Sequence, residues 1–175
     1  MPKTRKMLGY ENVPCLRPLM TLMETQSKVT LAHWSTDYAQ NVIYPLWSKY
    51  EPDDRRPQQA LDAARAWLSG TIKLTQAKKT ILACHAAARE AEESPVAQAA
   101  ARAIAQCAST IHAAKHSMGL VLYGALAVAY DKLGTTAPWE RIEQCAADEC
   151  ERMYEALRSM AVSEEPNPVK IKWTG

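Results

Sequence analysis

Residues 83–114 read ACHAAAREAEESPVAQAAARAIAQCASTIHAA, and 14 of these 32 positions are alanine. Alanine is the strongest helix former, because a methyl group loses no rotamer freedom when the backbone coils. Ser94–Pro95 interrupts the run with a helix-start signal. A serine hydroxyl can accept a first-turn N–H, and a proline ring presets the helical φ. The stretch therefore predicts two helices, the second over about 95–114. That second helix has two apolar faces. One carries Val96, Ala100, Ile104, Cys107 and Ile111, the other Ala101, Ala105, Ala108 and His112. A helix apolar on most sides must be surrounded by other helices. Methyl side chains also let helix axes approach at the lower end of the usual ~8–10 Å range.

Periodicity places five more helices around this centre. A short one is expected over 17–27 and a second over 28–44, with Leu31, Trp34, Tyr38 and Val42 on one stripe and Pro45 kinking or ending it. A charged loop, Glu51–Arg56, leads to a third helix over 57–69, stopped by Gly70. Thr75 is expected to cap a fourth, running to about Ala91. A sixth occupies 117–133 and ends at Gly134, and Pro138 opens a seventh to about Met160. Trp34, Trp67 and Leu122 are the predicted core markers. The fold class is thus all-α: a single-domain bundle of about seven helices. The similar lengths of successive helix pairs also suit a short superhelical array. The domain would span 17–162, with an arm over 1–16 and an extended tail over 163–175.

Composition narrows the function classes. Twenty-one Lys and Arg against 19 Asp and Glu give a net charge of +2, which points to neither nucleic-acid binding nor a strongly acidic inhibitor. The basic residues of the two ends, Lys3, Arg5, Lys6, Lys170 and Lys172, read as solvated arms. Five scattered cysteines without a CxxC argue against a disulfide framework and for a reducing, cytoplasmic setting. The uncharged stretch Ser117–Tyr130 is shorter than the roughly 20 residues a membrane span needs. No GxSxG and no phosphate-binding glycine loop occurs, and six glycines leave little material for one.

Several constellations could carry chemistry. His112 and His116 stand four residues apart, a spacing that can hold a metal, with His85 as a third ligand. The glutamate of a zinc helix is missing, so structural or surface roles outweigh a metal site. His33 and Asp37 share the same spacing and read best as a local helix pair. His85 and Arg89 rise from Ala86, Ala87 and Ala88, which are too small to bury them. In the loop Asp53-Asp54-Arg55-Arg56-Pro57, two guanidinium forks could face a partner. The candidate partner-binding residues are therefore Arg55, Arg56, His85 and Arg89.

The ordered set AHWSTDYAQNVIYPLW from Ala32, DDRRPQQALDAARAWLSG to Gly70, then His85-Ala86-Ala87-Ala88-Arg89 and His112-x3-His116 before Gly119 resembles the immunity proteins of bacterial polymorphic toxin systems. The resemblance spans about residues 28–133. Two positions depart from that family's pattern: Tyr38 stands where a Cys follows the Asp, and Gln58 where a second Arg follows the Pro. The resemblance implies an all-helical, non-enzymatic protein that binds and neutralises a cognate toxin. It gives no catalytic residues, while the charge balance and the lack of a long apolar stretch point to no nucleic acid and no membrane, and no cofactor is expected. The alternatives are a metal-dependent enzyme built on His85, His112 and His116, or a helical adaptor whose interface is a homodimer.

Overall fold

The computed structural model describes residues 3–9 and 13–173. Among the described residues there are seven helices and no strand. We label them α1 (Leu16–Met23), α2 (28–50), α3 (Arg56–Leu68), α4 (Leu74–Glu90), α5 (Pro95–Ser109), α6 (120–133) and α7 (Trp139–Met160). A short 3-10 turn, Ala114–Met118, leads into α6. The all-α class read from the alanine run therefore holds.

The centre is α5. It packs against α2, α3, α4 and α6, and its Ala97, Ala100, Ala101, Ala103, Ile104, Ala105, Cys107 and Ala108 are completely buried. Ser94 caps it as expected, its hydroxyl accepting the Ala97 N–H at 3.3 Å. The start of α6 lies directly on α5. A Cβ placed on Gly119 would stand 2.3 Å from Cβ of Gln106, so only glycine permits this approach. On the far side α7 packs against α1, α2 and α6. Buried Trp34 ties α2 to α7 by donating from Nε1 to the Met153 carbonyl at 2.9 Å. Gly70 and Gly134 end their helices with φ of 77° and 78°, values that glycine adopts without a Cβ penalty.

Four local expectations are corrected. Pro45 does not end α2. A π-helical turn over Ala39–Ile43, in which the Tyr44 N–H bonds to the Ala39 carbonyl, widens the helix just before the proline, and the helix continues to Tyr50. This is how a helix absorbs a ring that would otherwise strike the carbonyl one turn back. Thr75 is not a cap. Leu74 is already helical, and the Gln76 side chain reaches back to accept the Lys73 N–H at 2.8 Å. Helix α5 stops at Ser109, before the β-branched pair Thr110–Ile111, so His112 and His116 do not share a helix face. Trp67 is half-buried rather than core. It sits in the last turn of α3, where its ring covers the rim of the bundle under Lys28 Nζ, 5.6 Å from the ring centre. Trp34 and Leu122 are buried as expected.

The basic side chains of the two ends, Lys3, Arg5, Lys6, Lys170 and Lys172, are exposed as expected, but both segments are anchored on the helices. Leu8 is buried, and its N–H donates to the Leu122 carbonyl at 3.0 Å. Tyr130 Oη donates to the Arg5 carbonyl at 2.7 Å, and the Arg5 guanidinium stacks 4.1 Å above the Trp139 ring. The C-terminal segment folds back on buried Gln26. The Gln26 side chain exchanges two hydrogen bonds with the backbone of Val162, and its carbonyl accepts from the Val169 N–H. Trp173 Nε1 reaches Glu24 at 2.6 Å. Charge along the sequence suggested solvation, whereas hydrophobic anchors and unpaired backbone groups determine the docking.

Two stability outcomes follow. In urea denaturation, Trp34→Ala costs about 3–5 kcal/mol, as for a fully buried indole, and Trp67→Ala about half of that. Gly119→Ala costs about 1–3 kcal/mol, because the new methyl meets a Cβ close to the α5 backbone rather than a mobile side-chain tip.

Candidate functional site

Arg56 opens α3, at the edge of the loop that follows α2. Trp47 Nε1 fixes this loop by donating to the Asp54 carbonyl at 2.8 Å. Asp54 then accepts the Arg56 backbone N–H at 3.0 Å, satisfying one of the first-turn donors. The Arg56 guanidinium grips the same carboxylate, with Nη2 2.6 Å from Asp54 Oδ2, and reaches Glu90 Oε2 at 2.5 Å. Arg56 therefore clamps the start of α3 to the end of α4. Hydrogen bonds from Arg56 hold the Asp54 and Glu90 carboxyls below their ordinary range. Arg56 is partly exposed, and its guanidinium is engaged by the protein's own Asp54 and Glu90. Arg55 is exposed.

His85 and Arg89 take different positions. His85 is half-buried on α4, on the side turned toward α5. Burial first, then the charges of Arg89 and Arg102, push its pKa down. The imidazole is thus held toward its neutral form beside two guanidinium groups. Arg89 is exposed and makes no side-chain hydrogen bond or ion pair with a described residue. Arg102 lies on the narrow stripe of α5 left uncovered, together with Gln106 and Ser109. His116 Nδ1 lies 2.9 Å from Gln106 Oε1, and burial and the neighbouring Lys115, His112 and His85 lower its pKa. The structure thus brings His85, Arg89, Arg102 and His116 to one surface and leaves the Arg56 brace at its border.

The proposed metal set does not assemble. No group of three or more His, Cys, Asp or Glu side chains that could hold a metal ion occurs among the described residues. The break after Ser109 separates His112 from the turn that carries His116, and His116 is engaged by Gln106. His33 and Asp37 are both exposed on α2, and Asp37 lies nearer Arg65, at 3.9 Å.

Several polar devices were not legible in the sequence. Glu149 is buried on α7, where Tyr38 donates to its Oε1 at 2.5 Å and Arg152 to its Oε2 at 2.6 Å. Burial and the Glu149 hydrogen bond push the Tyr38 phenol far up, so it stays protonated and donating. Tyr38, one of the two departures from the family pattern, thereby links α2 to α7. Gln58, the other, forms a reciprocal amide pair with Gln40, at 2.8 and 2.9 Å, joining α3 to α2. Burial pushes the Cys84 thiol up to about 12, which removes it as a nucleophile at neutral pH.

The brace has a pH signature. A carboxyl whose folded pKa is depressed stabilises the protein above its unfolded pKa, and that stability disappears as pH falls through the folded value. Arg56→Gln is therefore less stable than the parent at about pH 7, and the gap narrows as pH falls from about 4.5 to 3 in denaturant titrations. A gap that is unchanged across that range would contradict the brace.

A family model described as Imm-5 like putative immunity protein matches residues 21–156. No curated protein and no solved structure matches the chain. The matched region runs from α1 through most of α7 and includes the Arg56 brace, the His85–Arg89 surface and the Tyr38–Glu149 link. The chain belongs to the Imm-5 like putative immunity protein family.

Proposed function

We propose that this protein is a non-enzymatic immunity protein that binds and neutralises a cognate bacterial toxin in the cytoplasm. The family match over residues 21–156 carries the reading. The chemistry of the polar groups supports it. Glu149 is consumed by Tyr38 and Arg152, Asp54 and Glu90 by Arg56, and Cys84 by burial. Among the groups left outward and unpaired are the Arg89 and Arg102 guanidiniums of the α4–α5 side, which suit recognition rather than bond making.

A bundle packed around α5 offers that surface preformed. Little conformational entropy is then lost on docking, and affinity is not spent on ordering the binder. About 800 Å² per partner, an ordinary interface, would cover the outward faces of two adjacent helices. His85 and Arg89 belong to this surface in the reading advanced here, Arg55 lies beyond its border, and Arg56 supports it from behind. The helices are too short or too polar to cross a membrane.

Stoichiometry distinguishes this reading from an enzyme that destroys the toxin. Cells expressing the toxin encoded beside this gene should regain growth when this chain is co-expressed. In purified form the toxin's activity should fall linearly with added protein and reach zero at a one-to-one ratio. Continued killing despite co-expression would contradict the proposal, as would inactivation by a small fraction of an equivalent.

A further inference from the structure

Helix α4 has an inner line of Ala77, Ile81, Cys84, Ala87 and Ala88, all buried. Successive residues of a helix are turned by about 100°, so the opposite line passes through Lys78, Leu82, Ala86 and Arg89, with Lys79 and His85 on its two sides. Leu82 is 66% exposed, the most exposed of the large apolar side chains among the described residues. On α5, Arg102 and Gln106 are partly exposed, and the Arg102 charge acts on His85 of α4.

The charge along α4 up to Arg89, and along α5, has one sign. From Leu74 to Arg89, and throughout α5, the sequence contains no aspartate or glutamate. Glu90, the first acid after that line, is taken by Arg56. Lys78, Lys79, Arg89 and Arg102 form no ion pair with a described residue. An exposed leucine surrounded by unpaired cations leaves both an apolar and an electrostatic requirement open. Phosphate backbones could meet the second but offer leucine nothing. A second copy of this face would set cation against cation, which costs free energy. A protein surface with carboxylates around an apolar recess meets both.

We propose that the outer face of α4 docks an acidic protein surface, with Leu82 entering an apolar recess, Lys78, Lys79, Arg89 and Arg102 pairing with carboxylates around it, and the His85 imidazole donating a hydrogen bond at its edge. The proposal rests on the toxin-binding reading above, since the acidic surface is assigned to the toxin. Leucine supplies the desolvated centre, and the surrounding cations supply orientation and encounter rate.

The test uses the full chain and a catalytically silenced form of the toxin domain encoded beside this gene, titrated by calorimetry. The variants are Leu82→Gln, which keeps helix propensity, and the pair Lys79→Glu/Arg89→Glu. The control pair, Arg17→Glu/Arg141→Glu, lies on α1 and α7. All these positions are exposed, so circular dichroism and urea midpoints should match the parent. The proposal expects each α4 variant to weaken binding at least about tenfold and the control to stay within about twofold. If the parent binds and the α4 variants bind as well as it does, the surface is wrong while the immunity reading stands. If the parent does not bind the toxin, both fail. A DNA duplex or RNA hairpin held by the parent at physiological salt and released by the same variants would assign the face to nucleic acid and overturn the proposal. So would a dimer of this chain abolished by Leu82→Gln.

Discussion

The structure depends on how closely four helices can approach α5. Almost its entire circumference is buried, and most of the side chains facing its neighbours are methyl groups. A bulky residue there would separate axes that small residues allow to pack closely. The large side chains are therefore displaced outward. Trp34 and Trp47 are buried beneath the flanking helices, while Trp67 and Trp139 close the rim. The few polar groups near the centre are satisfied locally. Buried Gln98 donates to the Ala88 carbonyl at 2.8 Å, and the Ser35 hydroxyl lies 3.3 Å from that of Thr110.

Close packing at the centre also determines what lies outside. With α5 covered, only Arg102, Gln106 and Ser109 remain as a narrow uncovered stripe along it, and α4 becomes the outer wall beside that stripe. The Arg56 clamp fixes α3 against α4, and the Tyr38–Glu149–Arg152 link and the Trp34 bond fix α2 against α7. Arg56 and Glu90 lie 34 residues apart, Tyr38 and Glu149 111, and Trp34 and Met153 119, so the outer surface is held by cross-links between helices rather than assembled on contact. That property suits the toxin-binding role proposed above.

Strong local signals were readable from the residues. The alanine run, Ser94–Pro95, Gly70, Gly134 and Pro138 each specify a helix or its end through backbone chemistry, and the fold retains all of them. Features decided by tertiary contact were not readable. Pro45 is accommodated because neighbouring helices stabilise α2 through its π turn. Both termini are docked because Leu8 and Trp139 at one end, and Gln26 and Trp173 at the other, find partners more than a hundred residues away. At the surface, sequence gave Arg56 and Arg89 equal standing. Only the fold shows that Glu90, 34 residues on, belongs to Arg56. Periodicity sets Leu82 opposite the inner line of α4, but only the fold shows that no neighbouring element covers it.

Native-state hydrogen exchange tests the central role of α5 most directly. If the bundle is held by that helix, the amides of Ala100–Cys107 exchange slowest in the protein. Their opening free energies should equal the global unfolding free energy and fall with urea at the global slope. The account is contradicted if those amides open at lower free energy than the amides of α7 around Cys150–Leu157. The alanine helix would then be packed onto a core formed elsewhere.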